Sequence, residues 1–400
     1  MRIGLIAALR RSEDAGLRAA LPLAGRSVLA WQAALLQSLG AERVMCLTDA
    51  TPASGEVLQL QHVLESGGTA FHALKGFAAI PALVRAEDDL VILADGLVPD
   101  PAVVRAVLGG EGAFTRTVAT IPADHPLAAA HPEDFERIDA ARCWAGVLAM
   151  RGAPVQQLAD MPSDADAISL LLRLALQTGT PTRDLAAREL TPESWLLAES
   201  ATAVAKHESD LVARAAPPAD WRAPGIAMAS ALVRALVPRG LAQGGLVAGG
   251  LGLAMLLGAV LLAAFGPASA ALAMAAAGAF GAQVSLGFTG IASRLRREEP
   301  KARADAVLGA SVDILVSLTL WFALAPWPEW KPLAALGAVL VGLARLVARA
   351  HGSPLGRSAP DRTVLLLLLA LAAMAGRLPE AVSCLALGLL AALLLRPSRD

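Results

Sequence analysis

Residues 241–293 read LAQGGLVAGGLGLAMLLGAVLLAAFGPASAALAMAAAGAFGAQVSLGFTGIAS and contain no lysine, arginine, aspartate, glutamate or histidine. A helix of about 20 apolar residues crosses the hydrocarbon core of a bilayer, so this stretch is long enough to cross it twice. The whole chain of 400 residues is 56% hydrophobic and 17% charged, against roughly 25% charged residues in soluble domains. This composition excludes a wholly soluble protein, a disordered chain and a collagen-like chain.

Further apolar segments follow toward the C-terminus and bring the number of predicted spans to six. The predicted spans are 241–265, 268–292, 304–325, 332–349, 362–376 and 379–395. Basic residues cluster in alternate connections, near 293–305 and 350–361, and in the C-terminal tail. Because basic loops stay on the cytoplasmic side, six spans place both termini in the cytoplasm. We therefore expect a multi-pass protein of the cytoplasmic (inner) membrane.

Charge divides the chain in the same way as hydropathy. Residues 241–400 hold 13 basic and 8 acidic residues, whereas residues 1–240 hold 21 basic and 27 acidic residues. A basic membrane part and an acidic soluble part argue against nucleic acid as the main partner. The three cysteines, Cys46, Cys143 and Cys384, have neither a Cys-x-x-Cys spacing nor a nearby histidine at ligand spacing. The sequence therefore predicts neither a disulfide framework nor a zinc site.

Apolar runs alternate with helical patterns in the first half of the chain. Residues 2–9 and 42–48 are typical of buried strands, and residues 90–94 form a third such run. Residues 27–39 and a segment near 69–86 are expected to be helices. Strands that alternate with helices predict a parallel sheet covered by helices, which is an α/β layer fold.

Asp95 directly follows the predicted strand 90–94, at the sheet edge where α/β folds bind ligands. Its carboxylate could hold a divalent metal such as Mg²⁺ on nucleotide phosphates, because hard cations prefer oxygen ligands. The alternative is a turn residue, since Asp-Gly is a common turn dipeptide. The local sequence leaves both alternatives open.

The order of several segments resembles the sugar- and polyol-phosphate nucleotidyltransferases over roughly residues 1–190. These segments are the strand 2–9, LPLAGR at 21–26, GAERV at 40–44, LADGLVPDP at 93–101 and WAGVL at 144–148. The resemblance implies a nucleotidyltransferase-like, Rossmann-like α/β fold, a nucleotide ligand, and a catalytic, metal-binding role for Asp95.

The chain departs from that family at its phosphate-binding loop. The glycine-rich loop is here AALRRSE at 7–13, without a glycine before Gly16, and Leu21 replaces the lysine of the Lys-Pro-Leu motif. Side chains in this loop hinder a close approach of the backbone to a phosphate. Arg10 or Arg11 could replace the missing cation, or could be an ordinary charge at a strand end.

Prolines at 217, 218 and 224 mark a boundary between the two halves. Residues 225–237 could form an amphipathic helix on the membrane surface. The alternative for the linker is a solvated helix that joins two domains. The predicted domains are a cytoplasmic nucleotidyltransferase-like domain at 1–195, a linker with the interfacial helix at 196–240, and an all-α six-helix transmembrane domain at 241–400.

Asp313 lies inside the third predicted span, where an ionisable residue is costly and is a functional hypothesis by default. Asp305 lies eight residues earlier, so both side chains share one helix face. Gly309 lies between them and leaves room for another helix or a headgroup. These residues could bind a metal or a phosphate, or Asp313 could be a buried aspartate paired with an arginine for helix packing.

The six predicted spans and the Gly-x3-Asp spacing of Gly309 and Asp313 resemble those of the CDP-alcohol phosphatidyltransferases. The motif of that family reads D-x2-D-G-x2-A-R-x8-G-x3-D-x3-D. Gly290, Arg294, Gly309 and Asp313 match that motif. In the family the carboxylates bind two divalent metals, and the last aspartate acts as a base on the incoming alcohol. The resemblance therefore implies that Asp313 binds Mg²⁺ with Asp305 recruited beside it, and that Gly290, Arg294 and Gly309 contact the substrate.

The chain also departs from this second motif. Leu286, Thr289 and Ser317 stand at three of its four acidic positions, and the spacer between the arginine and the second glycine has 14 residues instead of eight. Two divalent ions need about four anionic ligands, so the loss of three acidic positions removes most of the expected metal affinity.

Three arginines, Arg294, Arg357 and Arg362, lie at predicted cytoplasmic ends of spans. Guanidinium groups bind phosphate through two parallel hydrogen bonds, so these residues are candidates for substrate binding. The alternative is that they follow the positive-inside rule alone.

The order of the two halves resembles the bifunctional family that fuses an inositol-phosphate cytidylyltransferase to a CDP-alcohol phosphatidyltransferase of the di-inositol-phosphate-phosphate synthase type. We therefore predict a membrane transferase of phospholipid or polar-headgroup synthesis that moves a phospho-alcohol from a CDP-linked donor, with Mg²⁺ as cofactor and membrane lipid as a partner. The alternative is a catalytically degenerate relative that binds or regulates an active transferase, because both motifs have lost residues while the apolar frame is intact. Either protein is expected to form a homo- or heterodimer in the membrane.

Overall fold

The structure is a computed structural model that describes residues 1–14, 16–49, 55–109, 114–162, 165–191, 194–215, 220–296, 302–326, 334–349 and 354–395. These residues divide into two compact units, Met1–Asp210 and Leu211–Asp400. The division falls after residue 210, whereas the sequence pattern places a linker at 196–240.

The first unit is an α/β domain. Its strands are β1 Arg2–Ala8, β2 Pro22–Leu23, β3 Arg26–Ser27, β4 Arg43–Thr48, β5 Ala70–Leu74, β6 Asp89–Leu93, β7 Leu97–Pro99, β8 Thr117–Pro122, β9 Arg142–Arg151, β10 Thr182–Asp184 and β11 Trp195–Leu197. Its helices are α1 Val28–Ser38, α2 Gly55–Ser66, α3 Ile80–Leu83, α4 Pro101–Val107, α5 Pro126–Ala130 and α6 Ala167–Gln177, and α7 Ala201–Ala215 continues past residue 210.

Seven of the strands in the described residues form one sheet, in the order β10-β8-β9-β6-β1-β4-β5. Strand β9 runs antiparallel to β6 and β8, and the other pairs are parallel. The central strand β1 is almost wholly buried, because its residues pack on both faces of the sheet. Since β1, β4, β5 and β6 are parallel, their carboxyl ends meet at one edge of the sheet.

The expected helix near 69–86 is wrong. Residues Ala70–Leu74 form the edge strand β5 against β4, and only Ile80–Leu83 are helical in that segment. Gly68, with φ +82°, adopts a left-handed conformation that ends the preceding helix α2. The chain then starts a new element whose backbone bonds go to β4, and apolar periodicity does not reveal that pairing.

The second unit is helical. Its helices are α8 Pro224–Phe265, α9 Ala268–Arg296, α10 Ala302–Leu324, α11 Leu336–Arg349, α12 Pro354–Ser358, α13 Arg362–Met374 and α14 Leu378–Leu394. The predicted interfacial segment 225–237 and the first predicted span belong to one uninterrupted helix, α8.

Three helical segments among the described residues are long and apolar enough to cross a bilayer: Gly244–Phe265, Ala268–Arg294 and Arg303–Leu324. This composition indicates membrane association. Helices α11, α13 and α14 have 14, 13 and 17 residues. At a rise of 1.5 Å per residue they reach about 20–26 Å, less than the roughly 30 Å of a bilayer core. Six spans and the orientation of the termini therefore stay predictions, and parts of the basic connections (297–301, 350–353 and 396–400) lie outside the described residues.

Glycines bring the backbones of α8 and α9 into direct contact. A Cβ atom at Gly252 would lie 2.8 Å from the carbonyl oxygen of Gly278 and 2.9 Å from the amide nitrogen of Ala282. Nearby, the Ser285 hydroxyl donates to the carbonyl oxygen of Gly245 at 2.7 Å. Close packing of small residues and hydrogen bonds between helices are what hold helices together in lipid.

Candidate functional site

A pocket of about 400 Å³ lies in the first unit at the carboxyl ends of β1, β4, β5 and β6. Its charged lining comes from the loops after these strands and from the start of α6. These charged residues are Arg10, Asp49, Lys75, Asp95 and Asp166. The predicted location of a ligand site at this sheet edge thus coincides with a pocket, and Lys75 is a lining residue that the sequence motifs do not single out.

Asp95 links the loop after β1 to the end of β6 by hydrogen bonds. One carboxylate oxygen, Oδ2, accepts hydrogen bonds from the amides of Leu9 and Arg10, both at 2.7 Å. The other, Oδ1, is buried without a hydrogen-bond partner among the described residues. Burial raises the pKa of Asp95 to about 6, although both amides and the charges of Arg18 and Arg10 act in the opposite direction. Two amides of this loop are therefore occupied by a side chain of the protein itself.

Asp95 offers one unpaired oxygen to a metal ion. Mg²⁺ is often held by one or two carboxylates together with water and ligand phosphates, so Asp95 fits as a single ligand in such a site. In the part of the chain that the structure describes, no group of three or more histidine, cysteine, aspartate or glutamate side chains could hold a metal ion. A metal at Asp95 stays a prediction.

The second unit has a pocket of about 320 Å³ between α9, α10, the C-terminal end of α11 and the start of α13. Helix α9 contributes apolar residues and Gln283, and the charged residues come from α10, α11 and α13. The polar lining residues are Gln283, Asp305, Asp313, Arg345, Arg349 and Arg362.

Two arginines from different helices bind the carboxylate of Asp313. Arg345 donates from Nη1 to Oδ2 at 3.2 Å, and Arg362 donates from Nε to Oδ1 at 2.9 Å. Arg362 is 7% exposed and also donates from Nη1 to the carbonyl oxygen of Ala359 at 2.7 Å. The hydroxyl of Ser317 donates to the main-chain carbonyl of Asp313. Both carboxylate oxygens of Asp313 are thus engaged by guanidinium groups, as in the helix-packing alternative that the sequence left open.

The position of Arg362 is fixed by its neighbour Asp361, which is 3% exposed. The Asp361 carboxylate accepts from the amide of Val364 at 3.2 Å and therefore caps α13. It also accepts from the amide of Gly225 at 2.7 Å, at the start of α8. One carboxylate thus serves the N-termini of two helices, where a negative charge is favourable.

Gln283 contributes a hydrogen-bond donor to the same pocket. Its Oε1 accepts from the hydroxyl of Thr363 at 3.2 Å. Its Nε2 is buried and has no hydrogen-bond partner among the residues described. Asp305 accepts from the hydroxyl of Thr289 at 3.3 Å.

The structure brings together four of the site residues expected for this unit: Asp305, Gly309, Asp313 and Arg362 all line the pocket. The other three are not among its lining residues. Gly290 has open space around the position of a Cβ atom, Arg294 is exposed on α9, and Arg357 forms an ion pair with Asp220 at 3.7 Å.

Sequence reasoning missed Arg345, Arg349 and Gln283 as lining residues. Arg345 and Arg349 are four residues apart on α11, which puts them on the same helix face. Arg345 also interrupts an otherwise apolar segment, and a charged residue in such a segment indicates a functional position. This charge within an apolar segment is the signal by which the sequence could identify the position.

The donor set around Asp313 does not fit a pair of divalent metals. Leu286, Thr289 and Ser317 supply no carboxylate, and both oxygens of Asp313 already bind arginines. Asp305 is the further carboxylate among the described lining residues. Mg²⁺ at Asp313 therefore stays a prediction from resemblance.

No protein-family model matches this chain, and no curated protein matches it. Solved structures are similar to its N-terminal half. One is a protein assigned as a glucose-1-phosphate thymidylyltransferase from Bacillus anthracis, in complex with a sucrose. It is 11% identical, with a TM-score of 0.39, and the match covers 52% of this chain and 94% of that one. Another is the inositol-1-phosphate CTP transferase from T. maritima. It is 14% identical, with a TM-score of 0.36, and the match covers 52% of this chain and 96% of that one.

The first unit has an α/β fold, with a seven-stranded sheet among the described residues. The α/β class expected for the first half is thus confirmed, and the second half is helical and contains several apolar helices. These similarities concern the fold alone, and neither bears on the resemblance of the second half to the CDP-alcohol phosphatidyltransferases.

Proposed function

We propose that the membrane unit is a binding module for a phosphate-bearing headgroup and does not itself transfer a phospho-alcohol. This proposal shares the loss of catalysis with the degenerate alternative of the sequence analysis, which expects binding to an active transferase, but it names a headgroup as the ligand. The observation that carries it is the pocket in which Arg345, Arg349 and Arg362 converge while Asp313 is held in ion pairs with two of them.

The charge of the pocket supports an anionic ligand. Three guanidinium groups face two carboxylates in its lining, so positive charge is in excess. Guanidinium groups bind phosphate oxygens through charge-assisted, often bidentate hydrogen bonds. The volume of about 320 Å³ also lies in the range of roughly 300–1,000 Å³ that is usual for ligand pockets.

The groups needed for the transfer reaction have other partners or are missing. A base is required to activate the incoming alcohol, and a serine hydroxyl at position 317 cannot serve near neutral pH without help. That hydroxyl donates to the Asp313 carbonyl within its own helix. These observations favour binding over catalysis.

The test uses the full chain in phosphatidylcholine nanodiscs. We expect no CMP release from CDP-alcohol donors with Mg²⁺ above that of an Asp313→Ala variant. We also expect radiolabelled inorganic phosphate to bind, and Arg349→Gln to weaken that binding on the order of ten-fold, since one hydrogen bond to a charged group is lost. Arg377→Gln is the matched control, because Arg377 is exposed at the start of α14 and does not line the pocket.

The second candidate function is the transferase itself. Gly309 and Asp313, which match the Gly-x3-Asp part of the CDP-alcohol phosphatidyltransferase motif, line one pocket together with Asp305. Mg²⁺-dependent CMP release that is lost in the Asp313→Ala variant would support this activity and reject a purely binding role.

Nucleotide binding by the first unit is part of the same proposal. Arg10 and Lys75 line its pocket at the sheet edge and could face nucleotide phosphates. A thermal shift of the full chain with CTP, lost in a Lys75→Gln variant, would test this role.

The proposed dimer or regulatory partner in the membrane is tested by affinity capture from native membranes, where recovery of a lone monomer contradicts it.

A further inference from the structure

We infer that Asp313 is an internal counter-ion that competes with the ligand, and that a phosphomonoester binds to Arg345 and Arg362 without a divalent metal. The inference rests on the proposed function, because it concerns the same pocket. It assigns Asp313 a role opposite to that of a metal ligand.

Asp313 lies where the donors of two helices converge. Arg345 reaches it from α11 at 3.2 Å and Arg362 from the start of α13 at 2.9 Å. A guanidinium group has five N–H donors, and Asp313 uses one from each arginine. Arg362 directs others to the carbonyl oxygens of Ala359 and Val341, whereas Arg345 has no other partner among the described residues. Donors therefore remain for a ligand beside the carboxylate.

A cation is disfavoured at this point. Mg²⁺ would have to approach the Asp313 oxygens to about 2.0–2.1 Å, closer than either guanidinium group. It would then lie a few ångströms from two positive charges in a partly buried pocket, where like charges repel more strongly than in water. An anion meets the reverse situation, since both guanidinium groups attract it and the repulsion comes from Asp313 beside them and from Asp305 elsewhere in the lining.

Two further donors point to an anionic ligand. Gln283 has a buried Nε2 without a partner in the described part of the chain, and an acceptor on the ligand would satisfy it. Arg349 lines the same pocket one helical turn after Arg345, is exposed, and makes no hydrogen bond or ion pair with the residues described. A phosphomonoester has enough terminal oxygens to accept from several of these groups at once.

The sign of the effect of Asp313→Asn distinguishes the two roles. Loss of a metal ligand weakens binding of a phosphate that depends on the metal. Loss of a competing carboxylate removes a repulsion, so that we expect inorganic phosphate to bind on the order of ten-fold more tightly.

The experiment titrates the full chain in phosphatidylcholine nanodiscs with inorganic phosphate by isothermal calorimetry, in excess EDTA and in excess MgCl₂. We expect the same dissociation constant in both buffers, tighter binding by Asp313→Asn, and weaker binding by Arg349→Gln in both. Arg349 does not contact Asp313 in the structure, so its variant tests the inference even if Asp313→Asn fails to fold. Arg377→Gln should bind as the parent chain does.

A second series adds phosphatidate to the nanodiscs. If phosphatidate displaces the phosphate, the phosphomonoester comes from a lipid headgroup, and if binding is undiminished, it comes from a soluble ester. Both results support a phosphomonoester site.

Phosphate binding that requires MgCl₂ and is weakened by Asp313→Asn overturns the inference but leaves the proposed binding function intact. If Asp313→Asn does not fold, an Arg349→Gln defect confined to the MgCl₂ buffer overturns it in the same way. Absence of phosphate binding by the folded parent chain in either buffer overturns the proposed function itself.

Discussion

Asp95 should make the stability of the first unit depend on pH in a direction unusual for an aspartate. Its side chain is 6% exposed, and burial raises its pKa from 3.8 to about 6. The informative change is Asp95→Asn. Asparagine keeps an oxygen that can accept from the amides of Leu9 and Arg10, but it has no charge to bury.

The sign follows from proton linkage. Because the pKa is higher in the folded chain, the folded state binds the proton more tightly than the unfolded state. The contribution of Asp95 to stability is therefore complete below pH 3.8 and is lost as the pH rises to about 6. A difference of about 2 pH units corresponds to about 3 kcal/mol, at about 1.36 kcal/mol for each unit. Relative to the parent chain, Asp95→Asn should gain about 3 kcal/mol across this range.

The comparison with the variant is needed because other carboxylates change the stability with pH in the opposite direction. Hydrogen bonds from the backbone of Arg85 and from the N-terminus lower the pKa of Asp88 despite burial, and hydrogen bonds from Arg142 lower that of Asp139. Their stabilising contributions are lost as the pH falls, so the total pH profile mixes both signs. The difference between parent and variant isolates the contribution of Asp95.

Urea titrations of the full chain in nanodiscs, followed by fluorescence of the buried Trp144 and Trp195, measure the free energy of unfolding at each pH. Asp160→Asn removes an exposed carboxylate of the same unit and should leave the profile of the parent chain unchanged. If the curves of the parent and of Asp95→Asn run parallel between pH 3.8 and about 6, the reasoning from burial is refuted.

Two other predictions concern packing and thiol reactivity. Gly252→Ala should lower thermal stability in detergent, by about 1–3 kcal/mol as for other overpacked sites, because its Cβ would lie 2.8 Å from the backbone oxygen of Gly278. Gly250→Ala is the control, with nothing within 4 Å of the new Cβ, and an equal loss in both variants would contradict close packing of α8 on α9. Burial raises the pKa of the Cys46 thiol to about 12 and also raises that of Cys143. Both thiols should therefore resist a disulfide reagent at neutral pH until urea unfolds the first unit, and fast labelling of the folded chain would count against this.

The sequence predicts three adjacent strands of the sheet, β6, β1 and β4, because they are apolar on both faces. The expected strands 2–9, 42–48 and 90–94 correspond to β1, β4 and β6 within one or two residues. Edge strand β5 escapes the prediction because its buried residues, Phe71 and Leu74, are three apart, a spacing that is equally typical of one face of a helix. Pairing between strands depends on backbone hydrogen bonds, and the periodicity of the side chains does not indicate which strands pair.

The candidate site of the membrane unit was predictable only where it depends on one helix. Spacing along α10 places Asp305, Gly309 and Asp313 on one face, and all three line the pocket. The partners of Asp313 come from α11 and α13, and their choice depends on which helices are neighbours. Arg294 illustrates the converse, since it matches the motif in the sequence but does not line the pocket.

In each unit an aspartate accepts hydrogen bonds from groups of the kind that bind phosphate. In the first unit the carboxylate of Asp95 accepts from two loop amides, and in the second the carboxylate of Asp313 accepts from two guanidinium groups. Amides and guanidinium groups are the donors that proteins use for phosphate. A protein carboxylate bonded to them keeps them ordered and satisfied without a ligand, which avoids the cost of leaving them unpaired. It also lowers the affinity for an incoming anion, because the anion must displace the carboxylate or bind beside it. On the proposed phosphate binding, this competition would set the affinity of each pocket, so we expect that removal of the negative charge of either aspartate strengthens anion binding in its own unit.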